Sequence, residues 1–565
     1  MFALRPILRI PAVSHCYVLA VVVAFFPNVS HAGFAALEAE RNASGGLGAM
    51  NPPAIARSAE GDSLVVFNSF KSDQLHVFAN RIAANVLPTN VASNLPSAVQ
   101  VDTSTDRAYN PDVGMAADGR AVIVWNAATD SGLNAIRGRR YTSAGMPEAG
   151  EFEIDPLGAT SKWTPTVALA PNGNFTVAWI GYDVSGSGPA AVYARRYAAN
   201  GAPLSDAVKV SGSELAGRNL KECDIAMDAA GNYAIVYSSG DGSDLPGVED
   251  RIHFQLFGPT GNKKNAQALG GFDGNDPAIA MQADGRFRLT WTGFYDATEK
   301  AAGNFAILAR AFDQSGVPVT SRVRVNLYDY SMQFSPDIAM ASNGDYVISW
   351  TTHYQDGSET AVYAKRYYKS SLAAGPEFQL NTLTIGYQDA TAVAMDADGD
   401  IVTAWTTSAS VPGKTTVATR RYRGDSNIGL GATLTSTRAQ VKSGETITYS
   451  ATISNLRTPQ SPTGVSSIDV GIGAAPRARI VIDLSPKGSV TSAPKLNVPG
   501  ICTQNAPQQY TCTLERPLRA GQKAQADFAI KALDTGNLDI KAAVAADSYD
   551  SNTADNSKLV TVVVK

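Results

Sequence analysis

Residues 396–405 read DADGDIVTAW. Asp396, Asp398 and Asp400 alternate around Gly399 in the way a calcium loop begins, while Trp405 closes an apolar run in the way a β-strand does. Six further stretches decide between the two. They are SAEGDSLVVF (58–67), AADGRAVIVW (116–125), APNGNFTVAW (170–179), DAAGNYAIVY (228–237), QADGRFRLTW (282–291) and ASNGDYVISW (341–350). Their glycines recur at a nearly constant interval: Gly61, Gly119, Gly173, Gly231, Gly285, Gly344 and Gly399. An aromatic residue always follows six positions later: Phe67, Trp125, Trp179, Tyr237, Trp291, Trp350 and Trp405. A period of this length means one supersecondary unit used repeatedly.

The repeats argue against calcium. Three residues before the glycine stands Asp only at 228 and 396; the other copies have Ser, Ala or Gln. The residue before the glycine is mostly Asp or Asn, which tolerate left-handed turns. Asp-Gly between apolar runs is a hairpin signal, and strand occupies the place where a calcium loop of the EF-hand type needs its bidentate Glu. On this reading Asp396→Ala leaves stability nearly unchanged, Gly399→Val is harmful, and no metal or cofactor is expected.

Each copy holds four strand signals. The first is Pro-x-Val/Ile-Ala-Met, as in PDIAM (336–340), with Cys223 opening the fourth copy, CDIAM. The second runs from the glycine to the aromatic. The third is AVYAKRY (361–367), AVYARRY (191–197) or TVATRRY (416–422), and the fourth EFQLN (377–381), EFEID (151–155) or RVRVN (322–326). No helical period of useful length appears, so the fold class is all-β. The second strands are apolar on both faces, which suits a sheet packed between two neighbours better than a half-buried sandwich strand. Seven units of four strands predict a seven-bladed β-propeller over residues 33–425. The seventh copy lacks a fourth strand, and ALEAERN (36–42) is expected to supply it beside 416–422. The Arg-Arg-Tyr triplets, at 139–141, 195–197 and 420–422, are read as supports of strand packing.

Positions 1–32 have the pattern of a secretory signal. Arg5 and Arg9 precede an apolar run from Tyr17 to Phe26, and SHA (30–32) predicts cleavage after Ala32. The run is too short to span a bilayer, and no later stretch is apolar enough to do so. A secreted, periplasmic or cell-surface protein is expected. Without the signal's two arginines, 45 basic residues face 51 acidic ones, which lacks the footprint of a nucleic-acid binder. Three cysteines then remain. Cys502 and Cys512 are expected to form a disulfide in an oxidising compartment, with Cys223 a buried free thiol. The remaining histidines, His76, His253 and His353, show no ligand spacing.

After residue 425 the repeat ends. ETITYSATISN (445–455) alternates apolar Ile447, Tyr449, Ala451 and Ile453 with Thr and Ser, as a half-buried sandwich strand does. Further strands follow at ARIVIDL, QYTCTL, AQADFAI, DIKAAVA and KLVTVVV, predicting an immunoglobulin-like β-sandwich over 426–565. VKSGETITYSATISN, IDLSP, YTCTL, LRAGQKA and DSYDSNTADNSKLVTVVV, in that order, resemble the bacterial surface module called domain of unknown function 11, across residues 428–565. The family's Asp-Leu-Pro is loosened here to DLSP. The resemblance implies an Ig-like spacer or adhesion module of an exported protein and carries no catalytic residue. The repeats resemble those of uncharacterised secreted bacterial propeller proteins, which implies architecture alone.

With alternating strands, the turns joining strands 1–2 and 3–4 share one face, and they are tight. The 2–3 loops and the links between units share the other. These are longer and carry aromatic and acidic residues: Trp163, Tyr182 and Asp183, Tyr295 and Asp296, Tyr328 and Tyr330, His353, Tyr354 and Asp356, and Tyr387. Variable loops on a rigid scaffold are where binding concentrates. The leading expectation is a secreted binding or adhesion protein, not an enzyme, recognising an extracellular glycan or protein through this face. The alternatives are a propeller glycosidase or lyase, and a purely structural protein. The sialidase-type Asp-box needs Trp three residues after Gly, and here the interval is six. A cluster of acids with an Arg or His in the central mouth would favour the enzyme, and an aromatic patch would favour binding.

Overall fold

The computed structural model describes residues 35–565 apart from 84–96, 129–133, 156–160, 183–188, 241–249, 370–375, 424–429, 456–477, 546–555 and short gaps elsewhere. The signal segment and the junction after 423 therefore lie outside the described residues. The chain is all-β, with a single short helix, Ala297–Ala302, among the described residues. That helix stands in a 2–3 loop where no helical period was expected. Asp296 caps it by accepting the amide N–H groups of Thr298 and Glu299, which satisfies donors left free at a helix start.

Four-stranded antiparallel sheets follow the copies. The third is typical: Lys162–Leu169, Phe175–Gly181, Ala191–Tyr197 and Val208–Lys209 pair in chain order. The first strand of each sheet lies against the first strand of the next, and Gln388–Met395 of the last copy meets Ala54–Arg57 of the first. The arrangement is propeller-like. At every 1–2 turn the glycine is left-handed, φ running from 83° at Gly231 to 92° at Gly61. Its N–H donates to the carbonyl three residues back, as Gly399 does to Asp396. A β-branched side chain is strained at such a φ.

The repeated aromatics fill the spaces between sheets. Trp125, Trp179, Trp291, Trp350 and Trp405 are fully buried, as are Phe67 and Tyr237. Trp291 packs with Phe254 and Leu256 of the preceding copy, and Trp350 with Ile307 and Ala280. The dibasic pairs clamp neighbours together. The first member reaches back: Arg139 to the Val101 carbonyl (2.7 Å), Arg195 to Ile154 (3.1 Å), Lys365 to Val325 (3.0 Å), Arg420 to Leu380 (3.2 Å). The second reaches forward: Arg140 to Ala199 (2.7 Å), Arg196 to Pro259, and Arg421 to Ala83 of the first copy (3.2 Å).

The N-terminal segment completes the last sheet as expected. Ala35–Ala36 and Arg41–Asn42 pair antiparallel with Lys414–Arg423, Ala36 opposite Tyr422 and Arg41 opposite Thr419. Side chains confirm the equivalence. In four copies the residue two positions after the fourth strand accepts an N–H of the third strand: Asp102 from Val77, Ser211 from Val192, Asn326 from Ile307 and Asn381 from Val362. Ser44 does this for Val417. Glu40, just ahead of it, accepts the N–H and hydroxyl of Thr382 at 2.8 Å each, as Glu151 does those of Thr103.

One expectation is reversed. Asp396 is not a dispensable turn residue. It is buried, accepts the Asp400 N–H at 3.0 Å, and pairs with Arg57 of the first copy at 2.9 Å, both side chains about 5% exposed. The pair lies across the seam where the first and last sheets meet.

The C-terminal region forms a four-stranded sheet around Thr446–Asn455 and a six-stranded sheet around Arg479–Leu484. They share one core, in which Tyr449 and Phe528 of one sheet pack with Ile480, Ile540 and Val562 of the other. Cys502 and Cys512 lie opposite each other on neighbouring strands and are disulfide-bonded, and Cys223 is free.

Two stability outcomes follow. Asp396→Ala leaves the Arg57 guanidinium buried without its carboxylate, so chemical denaturation should show a loss of roughly 3–5 kcal/mol; a loss under about 0.5 kcal/mol would contradict the seam assignment. Trp350→Ala should cost about 3–5 kcal/mol in the same assay, as for other buried aromatic truncations.

Candidate functional site

The seven first strands surround a cavity of about 450 Å³ on the axis of the ring. Its wall is shaped by bulges. In six copies the pairing of first and second strands shifts register just before the Pro-x-Val/Ile motif, as between Tyr109 and Asp112 or between Asn275 and Ala278. At five of these a non-glycine residue is left-handed: Asn110, Thr164, Asp276, Ser335 and Ala390, φ 47–54°. Bulges turn the chain and free backbone groups from the ladder, and these bend residues 110–112 and their counterparts toward the axis.

Aspartates take up N–H groups that the first strands, at the edges of their sheets, leave outside the ladder. Asp112, Asp224 and Asp337 occupy the variable position of the motif in alternate copies. Each reaches into the next copy: Asp112 accepts the Val167 N–H at 2.8 Å, Asp224 that of Ile279 at 2.9 Å, Asp337 that of Val393 at 2.7 Å. Burial is the main cause that raises all three above the usual carboxylate range, Asp224 to about 7 and Asp337 to about 6. Their mutual repulsion adds to it: Asp112 and Asp337 act on Asp224, and Asp112 on Asp337.

Glu222 and Asp276 form a second carboxyl group pair in the same wall. They come from the fourth and fifth copies and are hydrogen-bonded to each other. Glu222 meets the water of the cavity, yet protein surrounds it. This enclosure, followed by the charge and hydrogen bond of Asp276, holds its carboxyl well above the usual range. Asp276 also accepts from the Thr292 hydroxyl at 3.1 Å and the Ser335 N–H at 3.4 Å. Lys221, beside Glu222, is tied to Asp250 at 2.9 Å. No Arg, Lys or His lines the cavity among the described residues. Because each first strand starts at the face of the inter-copy links, the bulged positions sit nearer that face than the alanines that follow.

The expected site residues divide into two groups. Tyr182, Tyr295, Tyr330, Tyr354 and Tyr387 are exposed on the link and 2–3 loop face, Tyr330 most of all at 82%. Leu327, Leu383 and Ile385 are exposed beside them. The Arg322 guanidinium lies 5.8 Å from the Tyr295 ring. The others are built into the scaffold. Trp163 is half-buried, packs on the core between the third and fourth sheets and meets Tyr182 edge-on at 5.4 Å. Asp296 is the helix cap. Asp356 accepts from Gln379 at 3.0 Å and Asn381 at 3.3 Å. His353 lies between Phe334 and Tyr354, and the half-buried Tyr328 offers its carbonyl to Asn326. Asp183 lies outside the described residues. The five cavity carboxyl groups were not among the expected site residues.

No family model matches the chain, and no curated protein matches it. Solved structures do. An α-L-arabinanase of Penicillium chrysogenum is 10% identical, over 68% of this chain and 98% of its own, with a TM-score of 0.39. An ulvan lyase is 11% identical over 68% and 95%, TM-score 0.40. An α-L-arabinofuranosidase of Fusarium graminearum is 10% identical over 69% and 98%, TM-score 0.36. Against the expectation that the chain is not an enzyme, these three neighbours are two glycoside hydrolases and a polysaccharide lyase, and at this identity the likeness bears on the fold alone. No helix among the described residues is long and apolar enough to cross a membrane.

The raised carboxyl groups set a pH dependence. A carboxyl whose folded pKa exceeds its unfolded value binds more protons when folded, so its stabilisation is full below about pH 4 and is lost as pH rises through the folded value. Asp224 and Asp337 should therefore make stability fall between about pH 4 and 7. Asp224→Asn keeps an acceptor for the Ile279 N–H and removes the titration, so its melting temperature should fall less over that range than the parent's. Equal slopes would contradict the assignment.

Proposed function

We propose that the chain is an exported glycan-acting protein, with its site at the mouth of the axial cavity. In this reading residues 33–425 form a seven-bladed β-propeller, closed by the N-terminal segment after removal of residues 1–32. Residues 426–565 form an Ig-like β-sandwich related to the bacterial surface module, serving as a spacer. The exported setting is supported by the Cys502–Cys512 disulfide.

The observation that carries the reading is the Glu222–Asp276 pair, placed at the axis beneath a face bearing exposed tyrosines. Tyrosine rings offer flat apolar area with a hydroxyl at the edge, which suits the apolar faces and hydroxyl rims of sugar rings. Glu222 is held well above the usual carboxylate range, by desolvation first and by the charge of Asp276 second, and it is accessible from the cavity, the two properties a general acid needs. A glycan lying on the tyrosines and entering the mouth would present a glycosidic oxygen to it. This reading extends the binding expectation toward its enzymatic alternative; the Arg or His that would have strengthened the enzyme case is absent from the described cavity wall.

Glu222→Gln keeps size and hydrogen bonding and removes the acid. Turnover of polysaccharide should fall by about 10²–10⁴-fold, while polysaccharide affinity and melting temperature stay close to the parent's. Tyr354→Ala should instead weaken affinity by more than about 1 kcal/mol with little change in melting temperature. Full turnover in Glu222→Gln, or no polysaccharide bound by the parent in a screen of plant, algal and bacterial glycans, would overturn the reading.

A further inference from the structure

We infer that the axial cavity acts on neutral or amine-bearing glycans by hydrolysis and excludes polysaccharides of uronic acids, an inference that rests on the glycan reading above. The observation that carries it is the make-up of the whole wall, five carboxyl groups and no basic residue among the described lining.

Asp112, Glu222, Asp224, Asp276 and Asp337 all line the cavity, and the described lining contains no basic residue. Two basic groups on the first strands are paired: Lys221 holds Asp250 at 2.9 Å and Arg57 holds Asp396 at 2.9 Å. Above about pH 7, where Asp224 and Asp337 are ionised, a uronate carboxylate brought among these acids would meet like charge with no basic residue in the described lining. Like-charge juxtaposition in an interface costs several kcal/mol. A hydroxyl-only sugar meets acceptors for its O–H groups, and a protonated amino sugar meets opposite charge.

The sign of the transition-state charge points the same way. Glycoside cleavage builds positive charge at the anomeric carbon. β-Elimination from a uronate builds negative charge at the carbon beside the carboxylate and needs a cationic or hydrogen-bond-donating partner for it. A ring of carboxyl groups favours the first and opposes the second. In the hydrolytic step Glu222 gives its proton to the glycosidic oxygen, and the bond from that oxygen to the anomeric carbon breaks, its electron pair staying on the leaving oxygen. Water oxygen bonds to the anomeric carbon, and the proton it releases returns to the cavity carboxyl groups and restores Glu222. One glycosidic bond and one water become two hydroxyl-bearing fragments, with no other reactant.

The test uses the purified protein above about pH 7, where Asp224 and Asp337 are ionised, with a neutral arabinan, a neutral galactan, chitosan and polygalacturonate. Two signals are followed: new reducing ends, and the ultraviolet absorbance of an unsaturated uronate. Reducing ends from a neutral or amino glycan without the absorbance are expected, with polygalacturonate bound roughly 100-fold more weakly, the scale of like-charge contact. The double variant Asp224→Asn/Asp337→Asn should bind polygalacturonate at least tenfold better while its affinity for the neutral glycan changes less. An unsaturated product from polygalacturonate that disappears in Glu222→Gln would overturn this inference and leave the glycan reading standing. Polygalacturonate bound as tightly as the neutral glycans, or unimproved by the double variant, would also overturn it. Failure of all four polysaccharides to bind would count against the glycan reading itself.

Discussion

Every sheet in the repeat region is apolar on both faces, so no sheet can stand at the end of a row. Trp405 in the last copy and Phe67 in the first need a neighbour as much as Trp179 in the middle does. Closing the ring is the only way to give each of them one, and the closure is reinforced at three levels. Residues 35–36 and 41–42 hydrogen-bond to the 414–423 strand. Arg421 crosses to the Ala83 carbonyl. Arg57 and Asp396 join first and last copies in a buried pair. A buried pair of this kind adds little net stability over an apolar substitute but punishes any wrong partner. It fits a seam that must select one neighbour.

The same closure creates the cavity. Seven first strands converging on an axis cannot meet, and each, as the edge strand of its sheet, leaves N–H groups outside its own ladder. Asp112, Asp224 and Asp337 satisfy those donors from alternate copies, so their first role is structural. Desolvation in the cavity wall raises the proton affinity of all three, and like charge adds to it at Asp224, from Asp112 and Asp337, and at Asp337, from Asp112. Architecture and proton chemistry are thus consequences of one geometric demand. Glu222 and Asp276 differ: they interrupt the pattern on one side of the ring, where Asn110, Thr164, Ser335 and Ala390 stand in other copies.

Much of this was legible from the residues. The glycine-to-aromatic interval of six revealed the repeats, their inward-facing aromatics and the left-handed turns. The missing seventh fourth strand pointed to 36–42. Asp396 was misread because its partner, Arg57, lies at the opposite end of the repeat region, and turn position alone says nothing of a seam. Trp163 stood apart as the one tryptophan off the repeat, yet Tyr182 and the core beneath it hold it half-buried. Glu222 and Asp276 were overlooked because they belong to separate copies, a full repeat apart, and only ring geometry brings them together. A signal for them existed: carboxylates stand just ahead of CDIAM and PAIAM, where the equivalent positions 110, 164, 335 and 390 hold Asn, Thr, Ser and Ala.

The account stands most directly on where a sugar sits. A crystal structure with a bound neutral oligosaccharide, solved near neutral pH, measures that. The account predicts a chain lying over Tyr354 and Tyr387 with one glycosidic oxygen within hydrogen-bond reach of the Glu222 carboxyl. Sugar bound only to the C-terminal sheets, or to the face of the tight turns with the axial cavity empty, would contradict it.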